Sequence, residues 1–179
     1  LCGLNEVRNQ QGDGLCHQGE AIAKRLGWNM VFAPAIAIDR GTYGNALISR
    51  FPIRSVRTIP IQTTQKERLP GGRYEDRVLL IAEIDADGTP LTAMVCHFGL
   101  NGIEADKATE TVLNEVKKIT SPLLFMGDLN LTPDDRRIQT LAATLNDTAQ
   151  RSDESLLSFP ADNPERKIDY IFTNDCFKT

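Results

Sequence analysis

Histidine and closely spaced cysteine are scarce in this sequence of 179 residues. The two histidines, His17 and His97, are too few to build a three-histidine zinc site from this chain alone. The four cysteines are scattered without a CxxC pair, which argues against a zinc knuckle or a disulfide framework. Because Cys2, Cys96 and Cys176 lie within or beside apolar strand-like runs, we expect all three to be small core residues.

An excess of positive charge and a long apolar run are also missing. Lysine and arginine number 20 against 24 aspartate and glutamate residues, which gives a net charge of −4. This balance disfavours a chain that coats nucleic acid by bulk electrostatics, although it is compatible with a local basic rim. No apolar run is long enough to span a bilayer, so we expect no transmembrane segment and a soluble, cytoplasmic protein.

The composition that is present, with 41% hydrophobic and 25% charged residues, is that of an ordinary globular protein. The length fits one domain with a substantial core. The sequence begins at Leu1 within a strand-like run, and we expect a further strand to start at residues 175–179. We therefore expect residues 1–179 to form one domain that lacks its first and last strands. The sequence then does not decide whether a signal peptide precedes Leu1.

Many short strands and a few amphipathic helices dominate the pattern along the chain. Helical spacing occupies 19–28, 102–120 and 134–145, and strand-like runs occupy 1–7, 29–38, 44–50, 52–61, 77–86, 91–98, 123–126 and 167–173. Asp87-Gly88 predicts a hairpin, and the Pro- and Gly-containing segment 62–76 predicts a mobile insertion. Since strand and helix do not alternate strictly, we predict an α+β fold of two packed mixed β-sheets with helices outside.

Polar side chains end four of the apolar runs. They are Glu6, His97, the pair Asp128 and Asn130, and Asp169. Taken singly, residues such as Glu6 and His97 are more often hydrogen-bonded polar residues at a sheet edge than ligands. Asp128 could be a turn residue or a helix cap. Together they predict a hard-oxygen site for Mg²⁺ or Mn²⁺, with a histidine and an amide suited to phosphoryl chemistry.

Asp169 is the least expected of these residues. It lies between Ile168 and Tyr170 in the apolar run KIDYIF, and we expect its side chain to be half buried unless it has a partner. Because an unpaired buried carboxylate costs several kcal/mol, we expect a cation or a hydrogen-bond donor beside it.

Six motifs in order resemble the endonuclease/exonuclease/phosphatase family, the superfamily of DNase I-like enzymes. They are LNEV, YGNALISRFPI, RVLLIAEI, VCHFGL, FMGDLNLTPDD and SFPADNPERKIDYIF, and the resemblance extends from Leu1 to about Phe172. The resemblance implies a four-layer α/β/β/α sandwich. It also implies that Glu6 binds the metal, that His97 steadies the phosphate, and that Asp128 and Asn130 align water and phosphate.

The resemblance further implies that Asp169 orients a second histidine. Asn45 falls near the phosphate as a substrate-binding residue, although a turn role fits the sequence equally well. Arg77 falls on a recurring arginine that either supports the site or is an exposed charge at the end of a strand. Asn5 replaces the usual glutamine, which leaves open whether it makes a hydrogen bond near the metal.

The family's first-strand asparagine and its late Asp-His pair are not found in residues 1–179. We therefore expect this chain to be most of a catalytic domain that is monomeric at full length.

The function predicted from the sequence is that of a Mg²⁺-dependent phosphoesterase. Its phosphoester substrate could be a small phosphorylated metabolite, a lipid head group or nucleic acid. The alternatives are an inactive binding or scaffold module and, among enzymes, a DNA-repair-type endonuclease. We expect the loop 158–167 to line the substrate pocket or, alternatively, to be a solvated turn.

Overall fold

A computed structural model describes residues 1–10, 17–62, 74–151 and 156–177, which form two β-sheets and three α-helices. The smaller sheet is antiparallel, in the order β1-β3-β2, with strands β1 (Cys2–Gln10), β2 (Asn29–Ile38) and β3 (Gly41–Ser49). The larger sheet contains β4 (Ile53–Ile61), β5 (Arg77–Ala86), β6 (Thr89–Cys96), β7 (Leu123–Asp128), β8 (Asn146–Asp147) and β9 (Asp169–Thr173). Its order is β4-β5-β6-β7-β9-β8, and it is mixed because β6 and β7 are parallel.

Side-chain and glycine caps set the ends of the helices α1 (Gln18–Leu26), α2 (Gly102–Val116) and α3 (Arg136–Ala142). Gly27 ends α1 in the left-handed conformation, as its position in the sequence predicts. The His17 imidazole caps the other end by accepting a hydrogen bond from the Glu20 N–H. Asn101 and Asp135 cap α2 and α3 in the same way.

The second helix is shorter than its apolar stripe predicts. The stripe continues to Ile119, but α2 ends at Val116, and Ile119 packs against the core from the following turn. The bonds from Lys118 to Glu115 and from Ile119 to Val116 are the tighter i-to-i−3 type that commonly closes a helix. Periodicity therefore predicts the buried positions correctly and the boundary wrongly.

Two hydrophobic clusters establish the four layers. One lies between the larger sheet and helices α2 and α3, and contains Phe98, Phe125 and Phe172. The other lies between the two sheets and contains Leu47 and Leu80. Helix α1 packs on the outer face of the smaller sheet. The α/β/β/α sandwich predicted from the sequence is thus confirmed.

Asp87 and Gly88 form the predicted hairpin turn between β5 and β6. Their φ angles of 53° and 86° are both positive, as a type I′ turn requires. The Asp85 carboxylate fixes the turn by accepting a hydrogen bond from the Gly88 N–H at 2.6 Å.

Three local expectations are corrected or fall outside the described residues. Of the cysteines expected in the core, Cys96 is buried, but Cys2 and Cys176 are exposed because they lie where the sheets end. Residues 175–177 form a turn, not a strand. Cys16 and residues 63–73 of the predicted insertion lie outside the described residues. No helix in the described part of the chain is long and apolar enough to cross a membrane.

Candidate functional site

A cleft of about 700 Å³ opens where strands from both sheets end. Four of the six predicted site residues line it: Glu6, His97, Asp128 and Asn130. The other described lining residues include Arg8, Ile36, Ile38, Tyr43, Glu75, Arg77, Leu100, Phe159 and Ile168. Residues separated by more than a hundred positions in the sequence therefore meet at one site.

A β-bulge in β1 carries Glu6. The register with β3 shifts between Leu4 and Val7, and Glu6 takes a φ of 59° inside this irregularity. A positive φ is uncommon for a residue other than glycine, and a bulge re-aims the side chain that it carries. The Tyr43 hydroxyl donates a hydrogen bond to the Glu6 carboxylate. Burial, followed by this hydrogen bond, raises the pKa of the Tyr43 phenol.

Asp128 and Asn130 follow a strand that packs tightly against its neighbour. A side chain at Gly127 would collide with the Cys96 carbonyl of β6, so the position before Asp128 requires glycine. Beyond the strand, the Asn130 N–H donates to Asp128 Oδ1 at 2.9 Å, which folds the two side chains toward the cleft. Asn130 adopts a φ of 53°, so this turn, like the Glu6 bulge, is held in a left-handed conformation.

Asp128 is an acid in an unfavourable electrostatic environment. Burial raises the pKa of its carboxyl from 3.8 to about 6. The carboxylates of Asp169 and Glu6 also contribute to this net rise in pKa, while the hydrogen bond from Asn130 and the charge of Arg77 oppose it. The cleft therefore holds negative charge that the described side chains do not fully offset.

His97 is buried at the base of the cleft, with 5% of its surface exposed. Its Nδ1 lies 3.3 Å from Nη1 of Arg77, and its Nε2 lies 3.1 Å from Nδ2 of Asn130. Burial, assisted by the Arg77 charge and opposed by Glu6, lowers the pKa of His97 from 6.5 to about 4. The imidazole is consequently neutral near pH 7.

Arg77 supports His97 from inside the fold. Only 7% of Arg77 is exposed, and its Nη1 also lies 3.4 Å from Oε2 of Glu75. Of the two interpretations that the sequence left open, the exposed strand-end charge is wrong, because Arg77 begins β5 beneath the cleft instead of at the surface.

A chain of amide hydrogen bonds links the two sheets beneath Asp128. Asn45 Nδ2 donates to the Val78 carbonyl, and Asn5 Nδ2 donates to Asn45 Oδ1, both at 2.8 Å. Asn5 Oδ1 then accepts from the Asp128 N–H, also at 2.8 Å. Asn5 thus makes a hydrogen bond near the site although it is one methylene shorter than glutamine. Asn45 is 2% exposed and does not line the cleft, so its contact with a substrate stays a prediction.

Asp169 lies beside the cleft but not in its wall. It pairs with Asp128 across β7 and β9, yet it lines a neighbouring cavity of about 420 Å³ together with Asn5. The expected half-burial of Asp169 is wrong. In β9 Tyr170 and Phe172 face the core, whereas Asp169 and Ile171 occupy the exposed face.

Several lining residues escaped the sequence analysis. Tyr43 lies directly opposite Arg8 in the β1–β3 register, and Leu100 lies in the turn before α2, so only the pairing of distant segments places them here. Phe159 comes from the loop 158–167, which the sequence indicated as a pocket wall or a solvated turn. Its presence in the wall supports the first interpretation.

The donor chemistry of the cleft fits a hard divalent cation. Among the described lining residues, the carboxylates Glu6, Glu75 and Asp128 outnumber the cations Arg8 and Arg77. Within the described ranges, however, no three acidic, histidine or cysteine side chains are grouped closely enough to hold a metal by themselves. Mg²⁺ commonly uses one or two carboxylates and completes its shell with water and phosphate oxygen. Glu6 can therefore serve as a protein ligand.

Comparisons with known proteins agree on the family and the fold. The endonuclease/exonuclease/phosphatase family matches over residues 1–179. An endonuclease/exonuclease/phosphatase family protein from Leptotrichia buccalis C-1013-b has 18% identity and a TM-score of 0.73, with 98% of this chain and 75% of that chain covered. The human Nocturnin catalytic domain with bound sulfate has 17% identity and a TM-score of 0.66, with 97% and 68% covered.

A mannosyl-6-phosphatase from Bacteroides thetaiotaomicron VPI-5482 has 15% identity and a TM-score of 0.70, with 89% of this chain and 67% of that chain covered. No curated protein matches this chain. At these identities the solved structures support the shared fold and do not by themselves assign a substrate.

Proposed function

The chain belongs to the endonuclease/exonuclease/phosphatase family, and from that premise we propose that it is a Mg²⁺- or Mn²⁺-dependent phosphoesterase. It hydrolyses a phosphomonoester or a phosphodiester by in-line attack of water. The observation that carries the proposal is the convergence of Glu6, His97, Asp128 and Asn130 on one cleft. Members of this family are hydrolases of phosphoesters, and similar folds include a mannosyl-6-phosphatase.

His97 and Asn130 form a pair of donors for a phosphate oxygen. A neutral imidazole has one acceptor nitrogen, whereas the groups facing both ring nitrogens, from Arg77 and Asn130, are donors. We assign the acceptor role to Nδ1, which faces the charged Arg77 guanidinium. The single proton of the neutral imidazole then lies on Nε2. Asn130 Nδ2 donates one hydrogen to the Phe98 carbonyl at 3.0 Å. Its second N–H and the Nε2–H of His97 are left as neighbouring donors, and a phosphate oxygen can accept from both.

Asp128 acts on the attacking water. As an ionised carboxylate it accepts a proton from the water, whose oxygen forms the new bond to phosphorus while the bond to the leaving oxygen breaks. The leaving oxygen takes its proton from solvent. The Asn130 N–H that bonds Asp128 Oδ1 leaves Oδ2 to face the cleft, 3.8 Å from His97 Nε2.

Glu6 would hold the divalent cation. When it is bound, the cation supplies Lewis-acid stabilisation of charge on the phosphate oxygens. The chain's own part is to orient the ligand: the β1 bulge aims Glu6, and the Tyr43 hydroxyl bonds the carboxylate. A phosphate approaching three carboxylates would otherwise meet repulsion, so a cation requirement follows from the charge of the cleft.

Screening for hydrolysis tests the proposal. The protein is assayed with Mg²⁺ against single-phosphate metabolites, dinucleotides, single- and double-stranded DNA, phosphoinositides and sphingomyelin, and again after exhaustive chelation. We expect hydrolysis that chelation abolishes and added Mg²⁺ restores. Full activity after chelation would contradict the metal role of Glu6, and specific binding without turnover would favour the scaffold alternative.

Asn45→Ala separates positioning of Asp128 from direct contact with the substrate. Loss of the amide leaves Asn5 Nδ2 and the Val78 carbonyl without their buried partners. We expect the free energy of unfolding to fall by about 1–3 kcal/mol. We also expect kcat to fall about tenfold with KM nearly unchanged, because Asn5, which accepts the Asp128 N–H, loses the hydrogen bond that orients its amide.

Asn29→Ala is the matched control for this change, since Asn29 of β2 also donates to main-chain carbonyls, those of Ser49 in β3 and of Phe51 just beyond it, but does not line the cleft. It should leave kcat unchanged. A rise in KM for Asn45→Ala at constant kcat would instead assign Asn45 to substrate binding.

A further inference from the structure

Apolar side chains form part of the lining of the cleft, alongside the groups proposed to bind phosphate. Leu100 is 73% exposed and Phe159 is 42% exposed, although both are large and hydrophobic. They share the cleft with Ile36, Ile38 and Ile168. We refer to these five residues as the apolar wall. Exposed apolar surface that lines a cleft with converging polar groups is typical of a ligand site.

The loop that carries Phe159 is held in place by hydrogen bonds. Phe159 and Arg166 exchange main-chain bonds of 2.9 Å in each direction, and the Arg166 guanidinium lies 5.0 Å from the centre of the Phe159 ring. Ser158 Oγ accepts the N–H groups of Ile168 and Asp169 at 3.2 Å each. These bonds fix the loop that carries Phe159 to the segment leading into β9, so little ordering of the loop is needed when a ligand binds.

Among the described lining residues, few cations are available to bind phosphate. Of the two described lining cations, Arg77 is buried against His97 and Glu75, which leaves the exposed Arg8. A ligand with several phosphate groups needs several cations at separate positions. One phosphate group matches the His97–Asn130 donor pair together with a single divalent cation.

We propose that the substrate carries one phosphate group joined to a planar aromatic group that packs against Phe159 on the apolar wall. This inference rests on the proposed phosphoesterase function and adds the class of leaving group. The shared chemistry is a phosphate group joined to an aromatic ring, and it can come from a nucleotide or from an aryl phosphate. Aromatic rings stack favourably on one another beyond the gain from burying apolar area.

Binding of phosphonates tests the inference independently of turnover. Phenylphosphonate, cyclohexylphosphonate and methylphosphonate carry the same acid group but differ in the ring, and their affinities are measured by calorimetry with Mg²⁺ present. We expect phenylphosphonate to bind about 3- to 10-fold more tightly than cyclohexylphosphonate, because only the aromatic ring can stack. Phe159→Leu should remove this preference and leave the affinity for methylphosphonate within twofold. Equal affinity of the wild type for the two ring compounds would overturn the inference.

Phe51→Leu is a matched control, since Phe51 also lies beneath an arginine, Arg50, at 5.1 Å but does not line the cleft. It should leave all three affinities unchanged.

Turnover of adenosine monophosphate, phenyl phosphate and glycerol phosphate then distinguishes the sources of the ring. Faster hydrolysis of glycerol phosphate than of both aromatic substrates would overturn the inference. Failure to hydrolyse any phosphoester, with the phenylphosphonate preference intact, would instead overturn the proposed catalysis.

Discussion

Asp128→Asn should abolish hydrolysis and at the same time stabilise the folded protein above about pH 6. Asparagine has nearly the same shape and can accept the Asn130 N–H, but it cannot take a proton from water. We expect kcat/KM to fall by at least about 100-fold. Activity on the best substrate of the screen measures the first effect, and thermal unfolding with a chelator present measures the second.

The sign of the stability change follows from the pKa of Asp128. Its carboxyl has an ordinary pKa of 3.8 and a folded-state pKa of about 6, so the folded protein binds this proton more tightly than the unfolded chain does. Ionisation therefore costs stability progressively between about pH 4 and pH 6 and by its full amount above that range. Asparagine removes the cost, which is about 1–3 kcal/mol at pH 7.5. The advantage of the variant should vanish below pH 4.

Asp134→Asn is the control, because the pKa of Asp134 is shifted in the opposite direction to that of Asp128. A hydrogen bond from Thr132 lowers the pKa of Asp134, which is fully exposed at the turn before α3. This substitution should not raise the melting temperature at any pH and should leave hydrolysis unchanged. A melting temperature of Asp128→Asn equal to or below that of the wild type at pH 7.5 would contradict the uncompensated negative charge assigned to the cleft.

Glu6→Gln should reduce activity by at least about 100-fold and weaken divalent-cation binding. Glutamine keeps the length of the side chain and can accept a hydrogen bond from Tyr43, but it removes the charge that would hold the cation. The expected loss is in kcat/KM at fixed Mg²⁺, with partial recovery at high Mg²⁺ concentration. Calorimetric titration with Mn²⁺, in the absence of substrate, should show a correspondingly weaker site.

Glu110→Gln removes an equal charge from an exposed position of α2 and serves as the matched control. It should change neither Mn²⁺ affinity nor turnover. Wild-type activity of Glu6→Gln with an unchanged dependence on Mg²⁺ would show that the β1 bulge has no part in metal binding.

The sequence by itself determined the family, the layered fold and the principal polar residues of the site. Strand and helix periodicity is local, because it depends on which neighbours in the chain share a buried face. The apolar runs therefore located nearly all strands, and the Asp87-Gly88 dipeptide located its hairpin. Polar residues at the ends of those runs, such as Glu6, His97 and Asp128, stood out because a strand core disfavours them. The structure placed these three together in one cleft.

Tertiary structure alone decided how those residues are held and what surrounds them. The bulge at Glu6, the burial of Arg77 and the link from Asn45 to Asp128 depend on the pairing of segments far apart in the chain. The apolar neighbours of Asp169 led to a wrong expectation of half-burial, because a run of apolar residues does not show which face of the strand is covered. The apolar wall arises in the same way from separate elements that meet only after folding. Register and layer packing are non-local properties, and they set both the electrostatics of the site and the shape of the cleft.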